Sequence, residues 1–291
     1  MENLIQQHAI LLKDKIRMEA YRQAIEATVK PGDTVLDIGC GSGILSFLAI
    51  KAGAAHVHAV DVDQATLNLA KVLAGHNGLD KKITFHKGLS FRMKLKRKAD
   101  VIVSELFGNL GLNENVMAVL KDARERLLKP EGLLIPRAMK LWIAPCDYKD
   151  WEYTVKAMKD VYGFDMLPDV PELDVGSPSM VVRNSEFLAN SKLMAEVDFM
   201  TAGDGFSGSC EFEVAHDGIL NSFAGWFEAS LTDNVKFTTT PSGITTHWKQ
   251  GFLPLRSPVK VRAGQKIMFE MEISPSPSGM ESVIGYRYEI K

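Results

Sequence analysis

Apolar residues Ile5, Ala9, Leu12, Ile16 and Ala20 recur at helical spacing and predict one amphipathic helix from residue 3 to about 28, ended by Pro31-Gly32. A short apolar strand follows at 35–38, then a glycine-rich turn at 39–43 and a helix over 44–52 that Gly53 would cap. A second strand, 57–60, runs into Asp61. Strand, helix and strand in that order predict parallel pairing with a right-handed crossover. The alternation continues with helices at 64–75 and 114–128 and strands at 83–86, 101–104 and 133–135.

Beyond residue 136 the period changes. LWIA, KLMAEVDFM, CEFEV, FAGWFEASL, IMFEMEI and VIGYRYEI are strand-like runs. In residues 266–274, Ile267, Phe269, Met271 and Ile273 alternate with Met268, Glu270 and Glu272, a period of two with one wet face. Asp217-Gly218 is a hairpin signal. These spacings predict an antiparallel sandwich or barrel. A helical stretch and a Pro-containing loop, residues 147–173, interrupt the strands. Such an excursion serves either as a contact arm for another chain or as a lid on its own domain. The expected fold is therefore α/β: a Rossmann-like parallel sheet in residues 1–136, followed by an antiparallel β-domain in 137–291.

Composition narrows the class. The 291 residues are 46% apolar and 24% charged, with a net charge of -2, which reads as soluble and globular and disfavours a strongly basic nucleic-acid binder. No apolar run has the length of a bilayer span, and no secretory signal is visible at the N-terminus. The three widely spaced cysteines, Cys40, Cys146 and Cys210, lack any CxxC pair and argue against a disulfide framework or structural zinc. The expected compartment is the cytoplasm. His56 and His58 share one side of a strand without evident further metal ligands, and the basic run at 92–98 reads as a solvated loop. No metal is expected.

The chemistry concentrates in three places. Asp37, Gly39, Gly41 and Gly43 spell D-x-G-x-G-x-G between a strand and a helix, where glycines let the backbone approach a ligand. The third glycine of a dinucleotide fingerprint is replaced by Ile44, which argues against an NAD(P)-dependent oxidoreductase. Asp61, at the end of the next strand, can accept both hydroxyls of a ribose. Together they suit a nucleoside without a pyrophosphate, hence S-adenosylmethionine. Next, Glu105 follows directly on a buried strand, and Glu114 returns after LFGNLGLN. Two carboxylates framing a loop at the ligand edge can clamp a planar guanidinium bidentately; each could equally be a solvated cap. Finally, Asp14, Arg17 and Tyr21 share a helical face opposite the Ile5–Leu12–Ile16 stripe, which taken alone is the solvent side.

VLDIGCGSGIL, SELFGNLGLNE and THWKQ, in that order, resemble the S-adenosylmethionine motif, double-E loop and THW loop of the protein arginine methyltransferase family. VYGFDM resembles that family's dimerisation arm, and HAILLKDKIRMEAYRQAI the helix before its sheet. The resemblance implies a class I methyltransferase sheet followed by an antiparallel β-barrel, S-adenosylmethionine as cofactor, a homodimer, and arginine as substrate in a protein or as a small guanidine. A non-catalytic, S-adenosylmethionine-binding dimer is the other alternative. The resemblance implies that Arg17 binds the methionine carboxylate, that Asp37, Gly39 and Gly41 line the methionine portion, and that Asp61 holds the ribose. Val62, Leu89 and Ser90 would flank the adenosine. Glu105 and Glu114 would hold the guanidinium, and His247 would pair with Asp14 as a proton acceptor or as a tie between domains. The family's YFxxY segment would precede His8, where seven residues without an aromatic stand. Leu106, Phe107 and Asn109 replace the aromatic-rich center of the family's double-E loop, and Leu11 and Val116 stand where methionines are usual.

Overall fold

The computed structural model describes residues 2–167 and 179–291, so the last part of the 147–173 excursion lies outside the described residues. The chain opens with α1 (Glu2–Lys13) and α2 (Lys15–Thr28). The periodicity predicted one helix; Asp14 divides it. Its backbone is extended (φ -70°, ψ 96°), and its carboxylate accepts the Arg17 N–H at 3.0 Å, the geometry of a helix N-cap.

The break reverses the expected facing. Ile5, Ile10 and Leu12 of α1 are exposed, whereas Arg17 and Tyr21 of α2 are buried. The face read as solvent-directed points into the protein. The Tyr21 hydroxyl donates to the Ser104 carbonyl at 2.9 Å, so it satisfies its own polar end while its ring fills the core.

The parallel sheet contains β1 (Thr34–Ile38), β2 (His56–Asp61), β3 (Ile83–Lys87), β4 (Ala99–Ser104) and β5 (Leu128–Ile135), in the order β3-β2-β1-β4-β5. The connecting helices are α3 (Ile44–Ala52), α4 (Gln64–His76) and α5 (Val116–Arg126). The strand order reverses beside β1, and the crevice outside the carboxyl ends of β1 and β4 is where such sheets bind ligands. β5 begins earlier than the pattern suggested, at Leu128, because Leu128, Leu134 and Ile135 are buried beside β4.

The chain passes a cis Ile135–Pro136 peptide and enters β6 (Ala138–Cys146). After α6 (Lys149–Lys159) come β7 (Ser179–Met180), β8 (Lys192–Asp198), β9 (Phe206–Glu213), β10 (Gly218–Ser230), β11 (Lys236–Thr238), β12 (Gln250–Val261), β13 (Lys266–Pro275) and β14 (Ser282–Ile290). One antiparallel sheet runs β7-β12-β10-β6-β8, with β11 beside β10; a second runs β14-β13-β9. Among the described residues their ladders do not close into a ring. The two sheets bury a common core in which Phe223 packs on Phe212, Phe269 and Tyr288. The period of two in β13 is realised: Ile267, Phe269, Met271 and Ile273 are buried. Asp217-Gly218 does not make the predicted hairpin. β9 pairs with β13 and β10 with β6 and β12, so this turn hands the chain from one sheet to the other.

At the base of α6, Trp151 packs edge-on to Phe252, and its indole N–H donates to the Leu255 carbonyl at 3.2 Å. Beyond it Tyr153, Tyr162, Phe164 and Met166 are exposed. The excursion is thus anchored at its root and carries unpacked aromatic groups further out. Among the described residues no helix is long and apolar enough to cross a membrane.

Candidate active site

The glycine-rich turn meets the end of β2 at its carboxyl edge. Gly39 and Gly41 have φ of +72° and +54°. A Cβ at Gly39 would stand 2.7 Å from Leu106, so only glycine lets the turn approach this loop. Asp61 stabilises the turn: its Oδ2 accepts the Gly41 N–H and its Oδ1 the Asp63 N–H, both at 2.9 Å. Each oxygen retains a lone pair for a ribose hydroxyl. Asp37 is fully buried; its Oδ2 accepts from the Ser46 hydroxyl at 2.6 Å, and its Oδ1 has no partner among the described residues. Loss of hydration pushes its carboxyl up to about 7 against the opposing Ser46 hydrogen bond, and the nearby Asp61 charge adds to the rise.

Gly39 and Asp61 border a cavity of about 380 Å³ that also reaches Val62, Leu89, Ser90, Leu106 and the loop at 279–281. The fit to S-adenosylmethionine is good. A glycine cradle, a carboxylate at the end of β2 and an unpartnered buried oxygen on Asp37 offer places for a ribose and an amino-acid head group.

On the β4 side the double-glutamate loop is held from several directions. Arg17 reaches Glu105 Oε2 through both Nε and Nη2 at 2.7 Å, with both side chains under 10% exposed. Glu105 Oε1 accepts the Phe107 N–H at 3.1 Å. Phe107 turns the other way from Leu106, into a cluster with Phe199, Phe227, Phe237 and Trp248. The Trp248 indole donates to the Phe107 carbonyl at 2.5 Å. Leu110 rests on Gly225 and Gly251, where any Cβ would overlap it. The loop is therefore seated on β10 and β12. Glu114 opens onto the cleft and is exposed there. Lost hydration and the charges of Glu105 and Glu281 raise its carboxyl to about 7.

His247 closes the arrangement. Its backbone N–H and its Nδ1 both meet Asp14 Oδ2, at 2.9 and 2.8 Å. Asp14 thus caps α2, positions Arg17 one turn on and ties α2 to the loop before β12. Burial works against ionisation of Asp14, but the bonds from His247 and from the Arg17 N–H outweigh it and hold its carboxyl down at about 2. A carboxylate only accepts, so Nδ1 carries a hydrogen, and Nε2 is the nitrogen turned away from Asp14. His247, Glu105 and Glu114 line a second cavity of about 1270 Å³, with Leu11, Trp248, Glu281, Tyr286 and Tyr288.

Of the twelve residues singled out from sequence, eight line the two adjoining cavities, Asp14, Arg17 and Gly41 bond to lining residues, and Asp37 lies behind them in β1. Arg17 is engaged by Glu105 rather than standing free for a carboxylate. Other participants went unseen. His8 of α1 lies over the turn, its ring 3.4 Å from the position of a Gly41 Cβ. The loop between β13 and β14 brings Gly279, Met280 and Glu281 to the cleft. No local spacing marks either. Outside the site, His58 and His86 are in contact (Nδ1 to Nε2, 3.1 Å), and among the described residues no group of three or more side chains is arranged to hold a metal.

Residues 137–289 match the family profile described as the arginine methyltransferase oligomerization subdomain. The chain is 32% identical over 284 residues to protein arginine N-methyltransferase 1 of Dictyostelium discoideum, which spans 92% of this chain and 81% of that relative. The chain belongs to the protein arginine methyltransferase family. Its Schizosaccharomyces pombe member, protein arginine N-methyltransferase 1, is 31% identical over 281 residues, 92% of this chain and 82% of the relative. Residues 21–137 match a profile described as ribosomal protein L11 methyltransferase (PrmA). Among solved structures, a Trypanosoma brucei PRMT1 enzyme–prozyme heterotetrameric complex with AdoHcy superposes with a TM-score of 0.83 at 25% identity, covering 98% of this chain and 93% of that one. Arabidopsis thaliana protein arginine methyltransferase 10 superposes at 0.72 and 24% identity, covering 97% of each chain, and shows the same fold.

Proposed function

We propose that this protein transfers a methyl group from S-adenosylmethionine to a guanidino nitrogen of arginine in a protein substrate. The observation that carries the reading is the convergence of Glu105, Glu114 and His247 on one cavity beside the glycine cradle, in a chain of this family. The cavity of about 1270 Å³ exceeds the roughly 300–1,000 Å³ of small-molecule pockets, which favours a peptide over free arginine.

When bound, S-adenosylmethionine supplies an electrophilic methyl group on a sulfonium. Asp61, Gly39, Gly41 and Asp37 are the residues that would hold it, with Val62, Leu89 and Ser90 along the adenosine and Arg17 beside Glu105. Glu105 and Glu114 hold the guanidinium and concentrate its positive charge on the nitrogens they face, which leaves electron density on the nitrogen that reacts. His247 Nε2, its ring oriented by Asp14, is the accepting atom available for the proton that leaves.

We read the chain as two domains, 1–136 and 137–291, supported by the change of sheet at Ile135–Ala138 and by profile matches that meet at residue 137. We also propose a homodimer built through the α6 excursion, supported by the exposed Tyr162 and Phe164 and by the oligomerization-subdomain match. The three free cysteines suit a reducing compartment, and we propose the cytoplasm.

Mass spectrometry of an arginine-rich peptide and of free arginine, each incubated with the protein and S-adenosylmethionine, tests the reading. We expect methylarginine on the peptide. Cofactor binding without methylation of either would overturn it in favour of a non-catalytic binder.

A further inference from the structure

The cofactor-side cavity and the substrate-side cavity share three lining residues, and all three are glutamates: Glu105, Glu114 and Glu281. Glu281 comes from the β13–β14 loop, and this loop is fastened to the double-glutamate loop. Ser282 donates its N–H to the Asn113 carbonyl and its hydroxyl to the Leu112 carbonyl, both at 2.6 Å. The Asn115 N–H returns a bond to the Ser282 hydroxyl at 3.2 Å. These bonds fall on both sides of Glu114, so the backbone of Glu281 is fixed beside it. Within the loop, Ser276 N–H to Glu281 carbonyl (3.0 Å) closes the turn, and Gly279 lies over Leu89 and Phe91.

The charges around the aperture show what is missing from a two-glutamate clamp. Arg17 already occupies Glu105 Oε2, and the Phe107 N–H occupies Oε1. Glu114 is raised to about 7, so near neutrality it is only partly ionised before a cation arrives. A third carboxylate at the aperture therefore adds negative charge where a guanidinium would enter beside a sulfonium. Among the described residues no cation is paired with Glu281.

Resting on the arginine-methyltransferase reading, we propose that Glu281 is a third substrate-binding carboxylate, which holds the guanidinium at the aperture and favours a cationic side chain over a neutral isostere such as citrulline. The groups facing Glu114 are Glu105 with its partner Arg17, Glu281 and, across the cavity, His247. Removing the Glu281 charge must then lower the Glu114 midpoint and weaken capture of the substrate.

The test compares Glu281→Gln and Glu281→Asp with the wild type in the full-length protein. We expect Glu281→Gln to raise KM for an arginine peptide at least about fivefold with kcat within twofold, an effect that shrinks as salt screens the charge. Glu281→Asp should restore most of the loss. In the ligand-free protein, carboxyl-carbon NMR should show Glu114 titrating at lower pH in Glu281→Gln. Far-UV circular dichroism and the thermal unfolding midpoint serve as the check on folding. An unchanged KM and an unmoved Glu114 titration in a folded variant would overturn the assignment. If the wild type made no methylarginine, the functional reading would fall. The titration, with calorimetric binding of the arginine peptide, would still decide Glu281: no shift and no loss of affinity would overturn it.

Discussion

Asp14→Ala should be the most informative single change, because one carboxylate serves helix, domain contact and site. It removes the cap bond to the Arg17 N–H and two bonds from His247, in a side chain only 5% exposed. A lost N-cap costs about 0.5–2 kcal/mol, and a hydrogen bond to a charged group about 1.5–3 kcal/mol. The two His247 bonds share one oxygen and do not add fully, so about 3 kcal/mol is expected in urea unfolding at pH 7. Asp14→Asn keeps an acceptor for the cap and loses the charge, which should cost roughly 1–2 kcal/mol. The pH dependence has a definite sign. The carboxyl is held at about 2, below its ordinary 3.8. Its ionic contribution is therefore complete above about pH 4 and is lost as pH falls through about 2. The gap between wild type and Asp14→Ala should narrow by pH 3. A double-mutant cycle with His247→Ala isolates the ring contact, because the backbone bond survives that substitution. A loss below about 1 kcal/mol for Asp14→Ala at pH 7, with no coupling to His247, would refute the view of Asp14 as the tie between α2 and the β-domain.

Glu105→Gln and Glu114→Gln should each reduce kcat at least about 100-fold while AdoHcy still binds, as read by steady-state kinetics and calorimetry; near wild-type turnover in both would remove them from the clamp. Asp61→Ala should weaken S-adenosylmethionine by about 1.5–3 kcal/mol in calorimetry. Asp37, buried and raised to about 7, destabilises the ligand-free protein increasingly as pH climbs from about 4 through 7, because the folded state then holds a proton the unfolded chain releases. Asp37→Asn should accordingly raise Tm more at pH 8 than at pH 5, and an equal change at both would contradict the shift. Tyr162→Asp with Phe164→Asp should yield monomers in sedimentation if the α6 excursion carries the dimer contact.

Much of this molecule follows from short-range rules. The parallel sheet of β1–β5, the glycine turn, the change to a period of two after residue 136 and the wet and dry faces of β13 all reflect near neighbours along the chain. Each depends on side-chain alternation or on a backbone angle that glycine alone adopts easily. The motif residues were visible for the same reason, since Asp37, Asp61 and Glu105 sit at or beside the carboxyl ends of strands whose positions the pattern predicts, and Glu114 returns on the loop after one of them. What the pattern misjudged was facing. Periodicity locates a stripe but does not say what covers it, so the polar stripe of Arg17 and Tyr21 was read outward, although Glu105 and the Ser104 carbonyl wait inside to satisfy it. The division of the first helix at Asp14 belongs to the tertiary structure as well. His247, 233 positions away, holds the carboxylate there. Glu281 reaches Glu114 only because Ser282 bonds to a loop from the other half of the chain. Contacts of that span carry no local period. They exist where the parallel and antiparallel sheets have packed and brought their loop ends to one cleft.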